Sequence, residues 1–292
     1  MKVTVTGSLG NISRVLVEKL VTNGHEIKVI SSCVEKENEI EKLGAIPLIG
    51  SLEDIEFVSK SFKGADAVYT MVPPNFAVED YYSFSELIHD NYAKAIERNN
   101  IKYVVNLSSI GVELAGVEPM TRYFNLEKNL NSISDLNVVH LRPAMFYTNF
   151  YGSIAMIKQQ GVIGHNLAEY IDIPMTHPCD IADLAFSFLN SLNFTGSQIK
   201  YVISDVKNGG EIAMFMSKAI DKPINWVQLS DEVIMAILLQ NGFSHNAAET
   251  VIVNVGKAIR EGLFDDYKKE KYRLSESRKF EQFVNELSVL FK

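Results

Sequence analysis

The chain has 292 residues, 47 % of them hydrophobic and 22 % charged, and carries a formal net charge of -8 at pH 7. The length predicts one large α/β domain with a smaller second lobe, and the composition excludes disorder and a coiled coil. The acidic balance excludes direct binding to nucleic acid, because neutralising phosphates takes clustered Lys and Arg. One basic run, Lys268-Lys269-Glu270-Lys271 through Arg273, is short and interrupted and reads as a solvated face. The two cysteines, Cys33 and Cys179, stand far apart, and the histidines form no ligand-spaced pair. No disulfide framework and no structural metal are therefore expected. No apolar run reaches the length of a membrane span, and the first strand begins without a signal peptide's apolar region. The expectation is a cytoplasmic protein with no membrane partner.

Val3 to Ser13 read as a strand, a glycine turn and a helix start. Lys2 to Thr6 carry the apolar β-branched Val3 and Val5, and Ile12, Val15, Leu16 and Leu20 then recur at helical spacing. Gly7 permits a tight turn, and Gly10 lets a ligand approach the backbone of Leu9, Asn11 and Ile12. The free N–H groups of the helix start attract an anion. A dinucleotide pyrophosphate fits. The spacing Gly-x-x-Gly-x-x-Ser is similar to the Thr-Gly-x-x-Gly-x-x-Gly of short-chain dehydrogenases/reductases, with Ser13 in place of the last glycine, small enough to keep helix and strand close.

The helix 12–21 stops at Asn23-Gly24 before a strand over 26–31, which completes a βαβ unit. Its end, Val29-Ile30-Ser31-Ser32-Cys33, offers no acid to hold a ribose 2′-hydroxyl and no arginine to clamp a 2′-phosphate. Ser31 and Ser32 are donors there and Lys36 is within reach, which favours NADP(H) over NAD(H). A third strand over 45–49 leads to Ser51-Leu52-Glu53-Asp54, where Ser51 and Leu52 either contact adenine or, for Ser51, cap the helix that ends near Phe62. The strand 67–72 stops at Pro73-Pro74, so Met71, Val72 and Pro73 face the cofactor. A helix over 79–99, a strand over 102–107 and Ser108-Ser109 follow. This is the pattern of a doubly wound parallel sheet covered on both faces.

A helix over 123–133 precedes a strand over 138–141 and the stretch Arg142 to Tyr147. After the short strand 171–173, an amphipathic helix over 181–192 and a strand over 200–203 return to the sheet. Helices near 211–220, 231–239, 244–261 and 278–290 complete a mainly helical C-terminal part. The division predicted is 1–150 with 178–205 for nucleotide, and 151–177 with 206–292 for substrate or partner.

Taken in order, Val-Thr-Gly-Ser-Leu-Gly at the start, Val-Asn-Leu-Ser-Ser at 105–109, Leu-Arg-Pro-Ala-Met-Phe-Tyr-Thr-Asn-Phe at 141–150, Asp-Ile-Ala at 180–182, Asn-Gly-Phe at 241–243 and Ile-Arg-Glu-Gly-Leu-Phe at 259–264 resemble the NmrA-like family of atypical short-chain dehydrogenases/reductases. The resemblance spans nearly the whole chain. It implies a Rossmann domain that binds NAD(P) and a smaller domain that closes a cleft over the nicotinamide. It also implies one of two activities: reduction of quinone-like compounds, or redox sensing without turnover.

Better-known relatives use Tyr-x-x-x-Lys, a four-residue step that sets both side chains on one helix face so that the lysine lowers the tyrosine's pKa. Here Tyr123 and Lys128 are five apart, about 140° around a helix, and Glu127 takes the place on Tyr123's face. Lys128 either bonds the nicotinamide ribose or lies on the surface, and Tyr123 is a pocket wall or an exposed residue sooner than a proton donor. Ser108 either bonds a substrate oxygen or caps a turn. Phe146, Tyr147 and Phe150 line the cleft, which favours a flat apolar substrate, or pack in the core. Three functions are weighed: a reductase of small apolar carbonyl compounds, a nucleotide sensor acting on a protein partner and, more distantly, a nucleotide-sugar epimerase.

Overall fold

The computed structural model describes residues 1–114, 120–268 and 277–291, so most of the basic run after Lys268 lies outside the described residues. Two compact units share the chain. One holds 1–75, 81–142 and 181–200, and the other holds 76–80, 143–180 and 201–292.

The first unit begins with β1 (Lys2–Val5), α1 (Ser13–Thr22), β2 (Glu26–Ser31), α2 (Glu37–Lys42), β3 (Ile46–Ile49), α3 (Ile55–Phe62) and β4 (Ala67–Thr70). It continues through α4 (Tyr81–Arg98), β5 (Tyr103–Leu107), α5 (Met120–Asn131) and β6 (Asn137–Pro143). The central strands are buried on both faces, with Val3, Thr4 and Val5 of β1 and Ala67, Val68, Tyr69 and Thr70 of β4 all buried, as a parallel sheet covered by helices on each side requires. On one side α3, α4 and α5 pack Val58, Phe62, Tyr92, Ile96, Leu126 and Leu130 against Ile30, Val68, Val104 and Val138. On the other, α1 buries Leu16, Val17 and Leu20, and Lys19 pairs with Asp183 at 2.9 Å.

Past β6 the chain forms β7 (Met145–Phe146), α6 (Ile154–Gln160), β8 (Val162–His165) and β9 (Ile173–Thr176). Next come α7 (Pro178–Ser191) and β10 (Ser197–Val202), and β10 joins the first unit's sheet. The seven-stranded parallel sheet runs β10-β6-β5-β4-β1-β2-β3. Strand order reverses between β1 and β4, and ligands of open α/β sheets bind at such a switch point, outside the carboxyl ends of the strands. The glycine turn after β1 lies there.

The rest of the second unit comprises β11 (Asp205–Lys207), α8 (Gly209–Ile220), β12 (Asn225–Gln228), α9 (Asp231–Gln240), α10 (His245–Ala248), α11 (Asn254–Arg260) and α12 (Phe280–Ser288). The helix expected over 244–261 is present, but 249–253 wind as a π-helix between α10 and α11. The strand expected at 171–173 lies at 173–176. Small sheets not read from the sequence support the core: β11-β9-β7, and the parallel pair β8 with β12. Around them pack Ile163, Met175, Ile212, Met216, Trp226, Phe283 and Leu287, and burying each large apolar side chain contributes roughly 1.5–3 kcal/mol. The segment 76–80 belongs to this unit as well, because Phe76 stacks on Phe243 with centroids 4.6 Å apart and its carbonyl accepts the Ser244 N–H at 2.7 Å.

Candidate functional site

Beyond β1 the backbone turns at Gly7, φ 86°, and Ser8, φ 52°. The Ser8 N–H donates to the Ile30 carbonyl at 3.0 Å, and the Gly10 N–H donates to Gly7 at 3.3 Å. The Ser13 hydroxyl donates back to the Thr6 carbonyl at 2.9 Å, so the serine in the last glycine position ties helix to strand. The two glycines differ. A Cβ on Gly7 would lie 2.4 Å from the Met71 sulfur and 3.0 Å from the Ser13 hydroxyl, so the fold itself demands glycine there. At Gly10 a Cβ would meet only the Gly7 carbonyl, at an ordinary 3.4 Å, and the residue is exposed. Nothing in the chain's own packing requires the bareness of Gly10. It leaves an open approach to the start of α1, where the helix dipole favours an anion even though the Arg14 N–H is already taken by the Gly10 carbonyl at 3.1 Å. Leu9 and Ile12 bury their side chains and Asn11 is exposed, so the first two offer a ligand only their backbone.

The end of β2 departs from expectation at Ser31. Its hydroxyl is buried, accepts from the Ser8 hydroxyl at 2.9 Å and the Cys33 N–H at 3.1 Å, and donates to the Cys33 carbonyl at 3.2 Å. Ser31 is therefore a strut between the two loops, not a free donor, and Ser32 is the exposed serine. Nor is the region without arginine. Arg14, on the first turn of α1, pairs with Glu39, which also takes Lys36 at 2.7 Å. Sequence reasoning looked for the cation on β2; the signal it passed over was an arginine four residues after Gly10.

Asp54, not Ser51, caps α3, accepting from the N–H groups of Glu56 at 2.9 Å and Phe57 at 3.2 Å. The exposed Ser51 accepts from Glu53 N–H at 3.1 Å. Leu52 is buried, and its carbonyl accepts from Asn91 at 2.9 Å. Met71 is pinned beside the glycine turn, its N–H donating to the Thr6 hydroxyl at 2.9 Å and its carbonyl accepting the Tyr92 hydroxyl at 2.6 Å. Val72 and Pro73 follow it, half-buried.

At the ends of β5 and β6 four side chains meet. The Glu127 carboxylate, on the inner face of α5, accepts the Ser108 hydroxyl at 2.6 Å and the Arg142 guanidinium twice, at 3.0 Å from Nε and 2.6 Å from Nη2. Glu113 pairs with the remaining arm of Arg142. Burial pushes the Glu127 carboxyl up to about 7, and the Ser108 hydroxyl pulls the other way. The bidentate guanidinium favours the ionised form. Ser108 is thus bound to a carboxylate, which corrects its reading as a donor to substrate. Ser109 donates to the Ile110 carbonyl at 3.0 Å. Lys128 is exposed, and Tyr123 is half-buried with its ring 6.1 Å from that of His89.

Of the aromatic cluster, Tyr147 and Phe150 are core, not pocket wall. Tyr147 is 0 % exposed, packs against Phe280 and Phe283 at centroid distances of 5.3 Å, and donates its hydroxyl to the Arg278 carbonyl at 3.0 Å. Phe150 lies 5.4 Å from Phe280. Phe146 stays half-buried. Among the described residues, no helix is long and apolar enough to cross a membrane.

A family model described as NAD(P)H-binding matches residues 7–167. Among solved structures, the triphenylmethane reductase of Citrobacter sp., complexed with NADP(H), is 18 % identical, with TM-score 0.81 over 98 % of this chain and 99 % of that one. The NADPH-dependent quinone oxidoreductase QOR2 of Escherichia coli, complexed with NADPH, is 17 % identical, with TM-score 0.81 over 98 % and 99 %. NmrA, a negative transcriptional regulator solved with NAD, is 15 % identical, with TM-score 0.72 over 99 % and 95 %. The glycine turn at the switch point and the family match across more than half of the sequence agree, and the chain belongs to the NAD(P)H-binding family, with a fold of the NmrA-like, atypical short-chain dehydrogenase/reductase type.

Proposed function

We propose that the protein is an oxidoreductase that prefers NADP(H) and reduces a flat apolar acceptor of quinone type. The observation that carries the reading is Gly10: an exposed, uncrowded glycine at the start of α1, at the switch point of the sheet. Backbone groups from Gly7 to Ile12 would hold the diphosphate, Arg14, Lys36 and Ser32 the 2′-phosphate, Ser51 and Leu52 the adenine, and Lys128 the nicotinamide ribose. Met71, Val72 and Pro73 would flank the nucleotide. When bound, the nucleotide supplies a hydride.

The chain's own part is to bind and orient. With Glu127 committed to Arg142 and Ser108, the inner face of α5 sets a carboxylate, not a lysine, one turn from Tyr123, and a carboxylate nearby raises a phenol's pKa. Such a site suits an acceptor that takes hydride directly and draws its proton from water, as quinones do. The names of two similar structures, a triphenylmethane reductase and a quinone oxidoreductase, support an aromatic acceptor.

The same α5 arrangement favours a second reading, a nucleotide-sensing regulator that acts through a protein partner. Oxidation of NADPH by the purified protein with a panel of quinones separates the two. Turnover that falls in Lys128→Ala supports the reductase; saturable NADPH binding without turnover of any acceptor refutes it and leaves the sensor.

A further inference from the structure

Near the glycine turn two cations already hold an anion. Arg14 donates its N–H to the Gly10 carbonyl at 3.1 Å, which fixes it beside the turn. Lys36 lies in the 3-10 turn that follows β2. The Glu39 carboxylate bridges them, one oxygen on the Arg14 guanidinium and the other 2.7 Å from the Lys36 ammonium. The side chains are 36–41 % exposed, so the bridge is open to solvent. Glu39 is not needed to bury α2, whose buried residue is its neighbour Ile40. Glu18 reaches Arg14 only at 3.8 Å, and Glu35 accepts from the Cys33 thiol. An anion with two or more oxygens set between a guanidinium and an ammonium is the arrangement a phosphate monoester makes.

We infer that Glu39 is a built-in competitor for the nucleotide's 2′-phosphate, so that preference between NADP(H) and NAD(H) is set by exchange of one anion for another on Arg14 and Lys36. The inference rests on the nucleotide reading above. A nucleotide with a 2′-hydroxyl leaves the bridge intact. A 2′-phosphate must displace the carboxylate or share its cations, and both routes cost affinity. Exposed ion pairs of this kind correspond to about a one-and-a-half- to fivefold effect each, and two of intermediate strength together make the expected tightening of 2′-phosphate binding about three- to tenfold.

Glu39→Gln keeps the side chain's size and removes its charge. The full-length variant and the wild type are titrated with 2′,5′-ADP, 5′-ADP, NADPH and NADH, after thermal melting shows both folded. The expected result is a three- to tenfold gain for 2′,5′-ADP and NADPH, a change within twofold for 5′-ADP and NADH, and a gain that shrinks in high salt. In Arg14→Ala the further Glu39→Gln change is expected to yield a smaller gain, because one of the two cations is gone. Wild-type binding of NADPH that Glu39→Gln leaves unmoved, or an equal gain for NADH, overturns the competitor role and spares the nucleotide reading. Absence of saturable binding by either nicotinamide nucleotide in the wild type sinks both.

Discussion

The contrast between Gly7 and Gly10 gives the most direct test of what the turn is for. Gly7→Ala forces a side chain into a left-handed backbone, φ 86°, and drives a Cβ to 2.4 Å from the Met71 sulfur. The backbone term costs about 1–2 kcal/mol and overpacking about 1–3 kcal/mol, so a loss of about 2–5 kcal/mol in unfolding free energy is expected. Gly10→Ala places its Cβ 3.4 Å from the Gly7 carbonyl and otherwise in open space. Its stability should stay within about 0.5 kcal/mol of wild type. Binding should show the reverse. A methyl group over the start of α1 keeps a diphosphate oxygen from at least one charge-assisted hydrogen bond, worth about 1.5–3 kcal/mol, or roughly a ten- to hundredfold loss in NADPH affinity. Urea denaturation followed by circular dichroism reads the first quantity, and titration with NADPH reads the second. A folded Gly10→Ala protein that binds NADPH as tightly as wild type refutes the placement of the diphosphate. Equal destabilisation by both substitutions refutes the packing argument.

Two further outcomes concern the buried polar groups of the sheet. Glu127→Ala removes the carboxylate that Arg142, 5 % exposed, meets through Nε and Nη2, leaves its pairing with Glu113, and strips the Ser108 hydroxyl of its acceptor. Losing one partner of a buried pair costs about 3–5 kcal/mol, Glu113 places this case at the lower end, and a measured loss below about 1 kcal/mol would show that the pair is not desolvated. The second outcome is acid sensitivity. His140 accepts from Asn106 on Nδ1 at 3.1 Å and donates from Nε2 to Asn131 at 3.0 Å, and burial lowers its pKa to about 4. A folded pKa below the unfolded value of about 6.5 favours the neutral ring. Its contribution is therefore whole above pH 6.5 and is lost as the pH falls from there through 4. The loss is on the order of 3 kcal/mol. Melting temperature should begin to fall between pH 6.5 and 5, above the carboxylate range, and a flat profile there contradicts the assignment.

The first unit is legible in the sequence because its central strands are buried on both faces and rich in apolar β-branched residues, and helices, most of them of readable spacing, separate β1 to β6. The second unit hides its strands. Val162–His165 and Asn225–Gln228 are four residues each, carry Gly164, His165 and Gln228, and among the described residues pair only with each other across the chain. Tyr147 and Phe150 could not be assigned to core or pocket from their neighbours, because what covers them arrives with Arg278, Phe280 and Phe283, far along the chain. The site divides the same way. A glycine turn is a local property of backbone and is visible in six residues, whereas the Arg14, Lys36 and Glu39 cluster depends on α2, whose sequence ENEIEK has a single apolar residue and no period to read. Ser51 is the cap expected from the sequence, but α3 starts at Ile55, so Asp54, one residue before it, is the side chain in position to accept from its first turn.

The Glu127 bridge explains why this chain departs from the Tyr-x-x-x-Lys pattern at that place. The inner face of α5 buries Leu126, Glu127 and Leu130, and Lys128 is exposed. A buried charge there has to be compensated, and the compensation comes from Arg142 at the end of β6, with Ser108 at the end of β5 completing the carboxylate's hydrogen bonds. Carboxylate and guanidinium are therefore a coupled choice: a lysine at position 127 would set two cations against each other in a space that admits almost no water. The pair fastens α5 to two strand ends at the edge of the proposed nucleotide site. In exchange, α5 gives up the cation that would activate a phenol, and the work left to the first unit is to hold a nucleotide and a strand edge rigidly in register.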